Sequence, residues 1–180
     1  IDPFGTPAPY FEAIIENVED DGILGIAATD TAVLCGAKPS ICFKRYGAYS
    51  MKRVAAKEVG IRILLGRIQT LATKYGRSIE PLLSYSEGHH LRVFLKVVSK
   101  KDITLKWLNH EMKVLDSESS EVAGPIWMEK IINSDLVPEN CEGQLGNFFE
   151  VLRHESNGPP GLFDINDMAR DAQVGQTPKR

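Results

Sequence analysis

Apolar residues recur along the first hundred positions at two spacings, the three-to-four of a helix and the two of a strand. Between Pro9 and Asp20, Phe11, Ile14, Ile15 and Val18 fall at helical spacing, and Gly22 breaks the run. Ile23 to Ala28 is a short apolar run of the kind a buried strand makes. Thr29 to about Ser50 is polar and punctuated by Gly and Pro, which predicts a loop. From about Met51 to Tyr75, Val54, Val59, Ile63, Leu64, Ile68 and Leu71 line one side of a long helix, and Gly76 ends it. On that helix Glu58 and Arg62 stand at i,i+4, the spacing of an ordinary intrahelical ion pair. Two strands follow, about Ser78 to Tyr85 and His90 to Val98, with Leu91, Val93, Leu95 and Val97 alternating against Arg92, Phe94 and Lys96. Ser86-Glu87-Gly88-His89 joins them closely enough for an antiparallel hairpin. Ahead of all this, Ile1-Asp2 reads as the end of a strand entering the turn Pro3-Phe4-Gly5-Thr6-Pro7.

Beyond Val98 the pattern changes. Residues 99–122 are charged and Ser-rich, with a strand expected around Ile103 to Leu108. Gly124-Pro125-Ile126-Trp127 opens a second module, in which Trp127 is expected to anchor a core or an interdomain contact. Helical spacing returns at Gln144 to Arg153 and at Asp164 to Ala172, separated by Asn157 to Gly161, with Asp164 as an N-cap.

Strand, helix, strand, long helix, hairpin is the order of the second half of a doubly wound α/β sheet whose last strand is antiparallel. It resembles a class I (Rossmann-like) methyltransferase sheet, followed by part of a small α+β C-terminal domain. The expected division is 1–98 for the C-terminal half of the methyltransferase domain and 99–180 for the start of the next. No strand–glycine-rich turn–helix unit occurs, and the spacing of Gly22 and Gly25 is no fingerprint because it falls in a strand. The chain is therefore expected to be truncated at its N-terminus. A half-sheet exposes the edge of its first strand, so self-association or binding to the missing upstream half is expected.

Three cysteines, Cys35, Cys42 and Cys141, form no CxxC pair, which argues against zinc and against an oxidised framework. No apolar run approaches membrane-spanning length. A soluble, cytoplasmic protein is the default. The net charge of −3 hides an asymmetry. Residues 1–37 carry seven acids and no Lys or Arg, a net of −7. Residues 38–106 carry fifteen Lys/Arg against four acids, a net of +11, and 107–180 six against thirteen, a net of −7. A basic middle of this kind suits a polyanion binder, and equally a solvated helix face.

Asp2-Pro3-Phe4-Gly5 carries the chemistry. Enzymes that methylate an exocyclic amine place a short Asp/Asn-Pro-aromatic motif after a strand. The lone pair of a base NH2 is delocalised into the ring, so the nitrogen is a poor nucleophile. A carboxylate can accept its N–H hydrogens, aim the lone pair, and take up charge as the bond forms. Pro3 fixes the turn and aims a backbone carbonyl at the same amine. Phe4 would stack on the extruded base. An ordinary Asp-Pro turn is the alternative; placement between a strand and a helix favours the motif.

The sequence here resembles the tRNA (guanine-26,N2)-dimethyltransferases, the archaeal members most. The resemblance rests on Asp2-Pro3-Phe4-Gly5-Thr6-Pro7, on Gly22 to Ala32 with Leu34-Cys35-Gly36, and on Lys44-Arg45-Tyr46-Gly47. Lys57 to Leu64, Arg92 to Lys96 and Gly124-Pro125-Ile126-Trp127 continue it in the same order. It implies S-adenosylmethionine as donor and guanine N2 of a tRNA as acceptor, with cofactor residues upstream of Asp2. Thr29 and Asp30, just after the second strand, are substrate-binding candidates; Asp30 could instead brace the motif loop or form an Asx turn. Lys44, Arg45, Lys52 and Arg53 are the phosphate-contact candidates. His89 and His90 lack partners at ligand spacing, so no metal is expected. A DNA amino-methyltransferase would share the Asp-Pro-aromatic logic but usually carries two prolines, so no DNA is expected. A non-catalytic RNA-binding protein on a half-fold is the reading from another class.

Overall fold

The computed structural model describes residues 1–52, 56–99, 108–109, 112–113 and 122–136. A 3-10 turn at Ala8–Tyr10 leads into helix α1, Phe11–Asn17, whose Phe11 and Ile15 are buried one turn apart. Strand β1, Ile23–Ala28, grows more buried along its length. Helix α4, Ala56–Lys74, follows two short helices, α2 at Thr31–Leu34 and α3 at Pro39–Tyr46. Strands β2, Arg77–Glu87, and β3, His90–Ser99, form the hairpin.

The sheet order is β1-β3-β2, with β3 antiparallel to both neighbours. β1 and β2 thus run the same way and the last strand inserts between them, antiparallel to both as expected. Leu91, Val93, Leu95 and Val97 of β3 are fully buried and make the floor of the core. Burial of each contributes roughly 1.5–3 kcal/mol. The opposite face, with Arg92, Phe94 and Lys96, is only half-covered. On β2 the register shifts between Pro81 and Leu83. Proline has no N–H for the ladder, so a bulge falls where it can be tolerated.

The segment from Thr29 to Ser50 is not the loop its composition predicts. It holds α2 and α3, each too short to develop a period across the window that reveals a helix. The local signals are still sound. Pro39 occupies the first turn, and Gly47 closes α3 at φ 73°, donating its N–H to the Phe43 carbonyl at 2.9 Å. Cys42 and Tyr46, one turn apart, are the buried pair. Gly36 is required by space as well as by φ, because a Cβ there would lie 2.0 Å from the Met51 carbonyl carbon.

α4 is the centre of the fold and is buried on more than one side. Gln69, fully buried, ties it to β2: its Oε1 accepts from Ser78 Oγ at 3.1 Å and the Ile79 N–H at 2.8 Å. The Glu58–Arg62 pair exists as expected, at 2.9 Å, but it is buried. Arg62 also donates to the carbonyls of Trp127 and Glu129, each at 2.9 Å. Those bonds dock the 122–136 segment, whose Ala123, Ile126, Trp127 and Ile131 join the same core. Trp127 is thus a core anchor, its Nε1 donating to the Lys130 carbonyl at 3.0 Å. Short two-residue pairings complete the described part: β4, Leu108–Asn109, with β7, Ile126–Trp127, and β5, Met112–Lys113, with β6, Val122–Ala123. Most of the strand expected at 103–108, the helices expected at 144–153 and 164–172, and Cys141 lie outside the described residues. Among the described residues no helix is long and apolar enough to cross a membrane.

Because Arg62 neutralises a buried carboxylate and holds two carbonyls, Arg62→Met is expected to destabilise the fold by about 3–5 kcal/mol. The double variant Glu58→Leu/Arg62→Met should recover part of that loss, since it leaves no unpaired charge. Urea unfolding of the three proteins checks it; a double variant no better than the single would contradict the ion-pair account.

Candidate active site

The chain enters the site alongside β1. The Ile1 nitrogen donates to the Gly25 carbonyl at 2.6 Å, and the Ile1 carbonyl accepts the Ala27 N–H at 2.9 Å. That is the bonding of a parallel pair, so the strand-end reading of Ile1-Asp2 holds in its hydrogen bonds, although it forms no strand of its own. The next residues turn away at the carboxyl end of β1, where sheets of this kind build their sites. Gly5 adopts φ 87° and is fastened there on both sides. Its N–H donates to Thr29 Oγ1 at 2.6 Å, and its carbonyl accepts the Thr29 N–H at 3.0 Å. Nothing lies within 4 Å of a Cβ at Gly5, so backbone geometry alone asks for glycine.

Between these fixed points Asp2 and Phe4 face solvent. The Asp2 side chain is 60% exposed and makes one long contact, 3.7 Å, with an Arg92 guanidinium nitrogen. Phe4 is fully exposed, while Pro3 between them is half-buried. The turn therefore presents a carboxylate and a bare aromatic ring side by side on a rigid support. Arg92, missed in the sequence as a site residue, comes from the facing side of β3.

A second chain of hydrogen bonds holds the turn from behind. Tyr46 donates its phenolic O–H to Asp30, at 2.9 and 3.0 Å from the two carboxylate oxygens. With that hydrogen committed, the 2.7 Å contact between Thr6 and Tyr46 has the Thr6 hydroxyl as donor. Burial pushes the Tyr46 phenol far above its usual range, so it stays a donor at any physiological pH. Arg45 donates to Asp30 Oδ2 at 3.2 Å. Of the roles open to Asp30, the geometry supports bracing: its side chain is 6% exposed and its oxygens are engaged inside. Thr29 likewise uses its hydroxyl on Gly5. Tyr46 is the residue sequence reasoning overlooked; its signal was the i,i+4 spacing with Cys42.

Lys44 and Arg45 lie in the last turn of α3 and Lys52 is exposed nearby in the chain; Arg53 is outside the described residues. His89 is exposed and His90 half-buried, and no group of His, Cys, Asp and Glu among the described residues could hold a metal. Cys35 and Cys42 are free thiols that burial pushes up to about 11. For a nucleotide-like cofactor the described residues offer no glycine-rich strand–turn–helix unit.

Residues 1–117 match the N2,N2-dimethylguanosine tRNA methyltransferase family. The chain is 34% identical over 185 residues to the tRNA (guanine(26)-N(2))-dimethyltransferase of Thermoplasma volcanium, covering 99% of the chain and 53% of that protein. It is 32% identical over 198 residues to the Pyrococcus furiosus enzyme of the same name, covering 97% and 52%. The solved complex of Trm1 from Pyrococcus horikoshii with S-adenosyl-L-methionine superposes with a TM-score of 0.68 at 31% identity, over 75% of this chain and 41% of that one. The chain spans about half the length of the curated relatives it matches.

If the Asp30–Tyr46–Thr6 chain holds the turn, Tyr46→Phe should cost about 1–2 kcal/mol of stability. It should also speed amide hydrogen exchange at Gly5 and Thr29 relative to β3. Exchange that rises uniformly, or not at all, would show that the turn does not depend on the phenol.

Proposed function

We propose that this chain, which belongs to the N2,N2-dimethylguanosine tRNA methyltransferase family, carries the base-holding half of an enzyme that methylates the exocyclic N2 of guanine 26 in tRNA. The observation that carries this reading is the pairing of an exposed carboxylate with an uncovered ring on a turn braced by Thr29 and Tyr46. S-adenosylmethionine would supply, when bound, an electrophilic methyl group; the residues that seat it are expected outside those described. Residues 99–180 are read as the start of a tRNA-binding domain, anchored to the first unit where Arg62 grips the Trp127 backbone. A cytoplasmic location is part of the same reading.

The work of this chain is to take a guanine out of its stack and aim its amine. Extrusion costs a few kcal/mol. Stacking on Phe4, worth about 1–3 kcal/mol, offsets much of it. Asp2 then accepts the amine's N–H hydrogens, with the Pro3 carbonyl beside it, and takes up a proton as the nitrogen becomes cationic. The Arg92 contact does not compete. At 3.7 Å and with both groups well exposed, such a pair contributes about 0–1 kcal/mol, so an incoming amine displaces it easily.

The test is transfer of labelled methyl to an unmodified tRNA transcript by a protein that carries this chain at the full length of its relatives. Label on guanine N2 is expected. Asp2→Ala should lower kcat by about 10²–10⁴-fold, and Phe4→Leu should weaken turnover less. Transfer to duplex DNA but not tRNA would move the protein to the DNA amino-methyltransferases. No transfer to either would leave RNA binding without catalysis.

A further inference from the structure

Outside the Asp2 turn, two large aromatic rings stand together in solvent. Phe43, on α3, and Tyr49, just past its end, stack with centroids 4.7 Å apart and planes 19° apart. They remain 47% and 48% exposed. Backbone bonds hold them there. Tyr49 exchanges both of its main-chain bonds with Gly124, at 2.8 and 2.9 Å, and Gly47 locks the last turn of α3 onto the Phe43 carbonyl. The pair is thus pre-ordered, and binding to it would cost little conformational entropy. Against Tyr49 lies a depression of about 400 Å³, lined by Gly36, Pro39, Met51 and Lys52.

The charge around the pair is one-sided. Residues 31–57 contain six Lys/Arg and no Asp or Glu. Lys44, next to Phe43, and Lys52, on the rim of the depression, are exposed. Exposed rings interleaved with cations suit a ligand that combines π faces with phosphates. An acidic protein would also meet the lysines, but only a ligand with both π faces and phosphates uses the exposed rings and the cations together. α3 also connects this surface to the motif: the two residues after Lys44 are Arg45 and Tyr46, which hold Asp30 behind the turn.

We propose that the Phe43–Tyr49 pair and the depression beside it form a second nucleotide subsite, which takes an unpaired base and its phosphate from the same RNA whose target base goes to Phe4. The subsite rests on the tRNA reading above and deepens it. One base stacks on the aromatic pair while Lys44 and Lys52 contact the backbone on either side. The target guanine is thereby held at two points, which fixes the approach of the strand to the turn.

The experiment measures the Kd of the full-length protein for an unmodified tRNA transcript at several salt concentrations, with methyl transfer by the wild type run in parallel. Phe43→Leu/Tyr49→Leu keeps apolar bulk and removes the π faces. It is expected to raise Kd by roughly 5- to 100-fold with the thermal midpoint and the salt slope unchanged. Lys44→Gln/Lys52→Gln should instead flatten the dependence of log K on log salt by about 1 per lysine. Single-ring variants, Phe43→Leu and Tyr49→Leu, guard against a folding defect in the double variant; if either folds normally and binds as wild type does, the subsite falls. Wild-type methyl transfer with unchanged Kd in the folded double variant overturns the subsite and leaves the function standing. Ring-dependent RNA binding without methyl transfer supports the subsite and overturns the function.

Discussion

The arrangement depends on one hydrogen-bonded junction, in which Tyr46 joins Thr6 of the motif turn to Asp30 at the end of β1. The motif turn, the start of α2 and the end of α3 are remote in sequence, and this phenol is where they meet. Remove the junction and Asp2 and Phe4 remain on the chain, but on a turn held only by Thr29 and the edge of β1. A carboxylate that must meet an amine within hydrogen-bond reach cannot sit on a mobile segment. Buried and permanently protonated, Tyr46 gives the exposed chemistry a fixed base.

That junction is itself carried by the core. α4 lies across β2 and β3, and its Gly60 lets Leu34 and Leu91 close in; a Cβ there would come within 2.8 Å of the Leu91 side chain. Leu34 belongs to α2, whose start is Asp30, so packing against α4 sets where the Asp30 carboxylate stands. Arg62, on the same helix, fixes the 122–136 segment, whose Gly124 in turn pairs with Tyr49. Both sets of exposed aromatics, Phe4 at the motif and Phe43 with Tyr49, are therefore displayed by a single helix through different neighbours.

Much of this was legible in the sequence because long, strongly periodic elements announce themselves. β1 and the hairpin fell where alternation put them, and α4 where helical spacing did, except that Met51 and Lys52, expected in it, lie outside the helix; the Glu58–Arg62 pair was visible from its i,i+4 step. The antiparallel direction of β3 followed from the order of elements. What escaped was short or convergent. α2 and α3 were hidden by Gly, Pro and polar residues. A bracing role was open to Asp30, but its partners Thr6 and Tyr46 could not be read because the three come together only in three dimensions. Arg92, read as the outward side of a strand, meets Asp2 because β3 lies next to β1. The basic middle admitted two readings; the mixture of Lys44 and Lys52 with the exposed rings of Phe43 and Tyr49 favours a nucleic-acid surface over simple solvation.

The central claim is that the braced turn receives a base on Phe4 beside Asp2. The most direct measurement is photocrosslinking of a tRNA carrying 6-thioguanosine at the target position to the full-length protein, with the crosslinked residue identified by mass spectrometry. The account predicts a crosslink at Phe4, lost in competition with unmodified tRNA. A crosslink confined to Trp127, or to any residue away from the Asp2 to Gly5 turn, would contradict it.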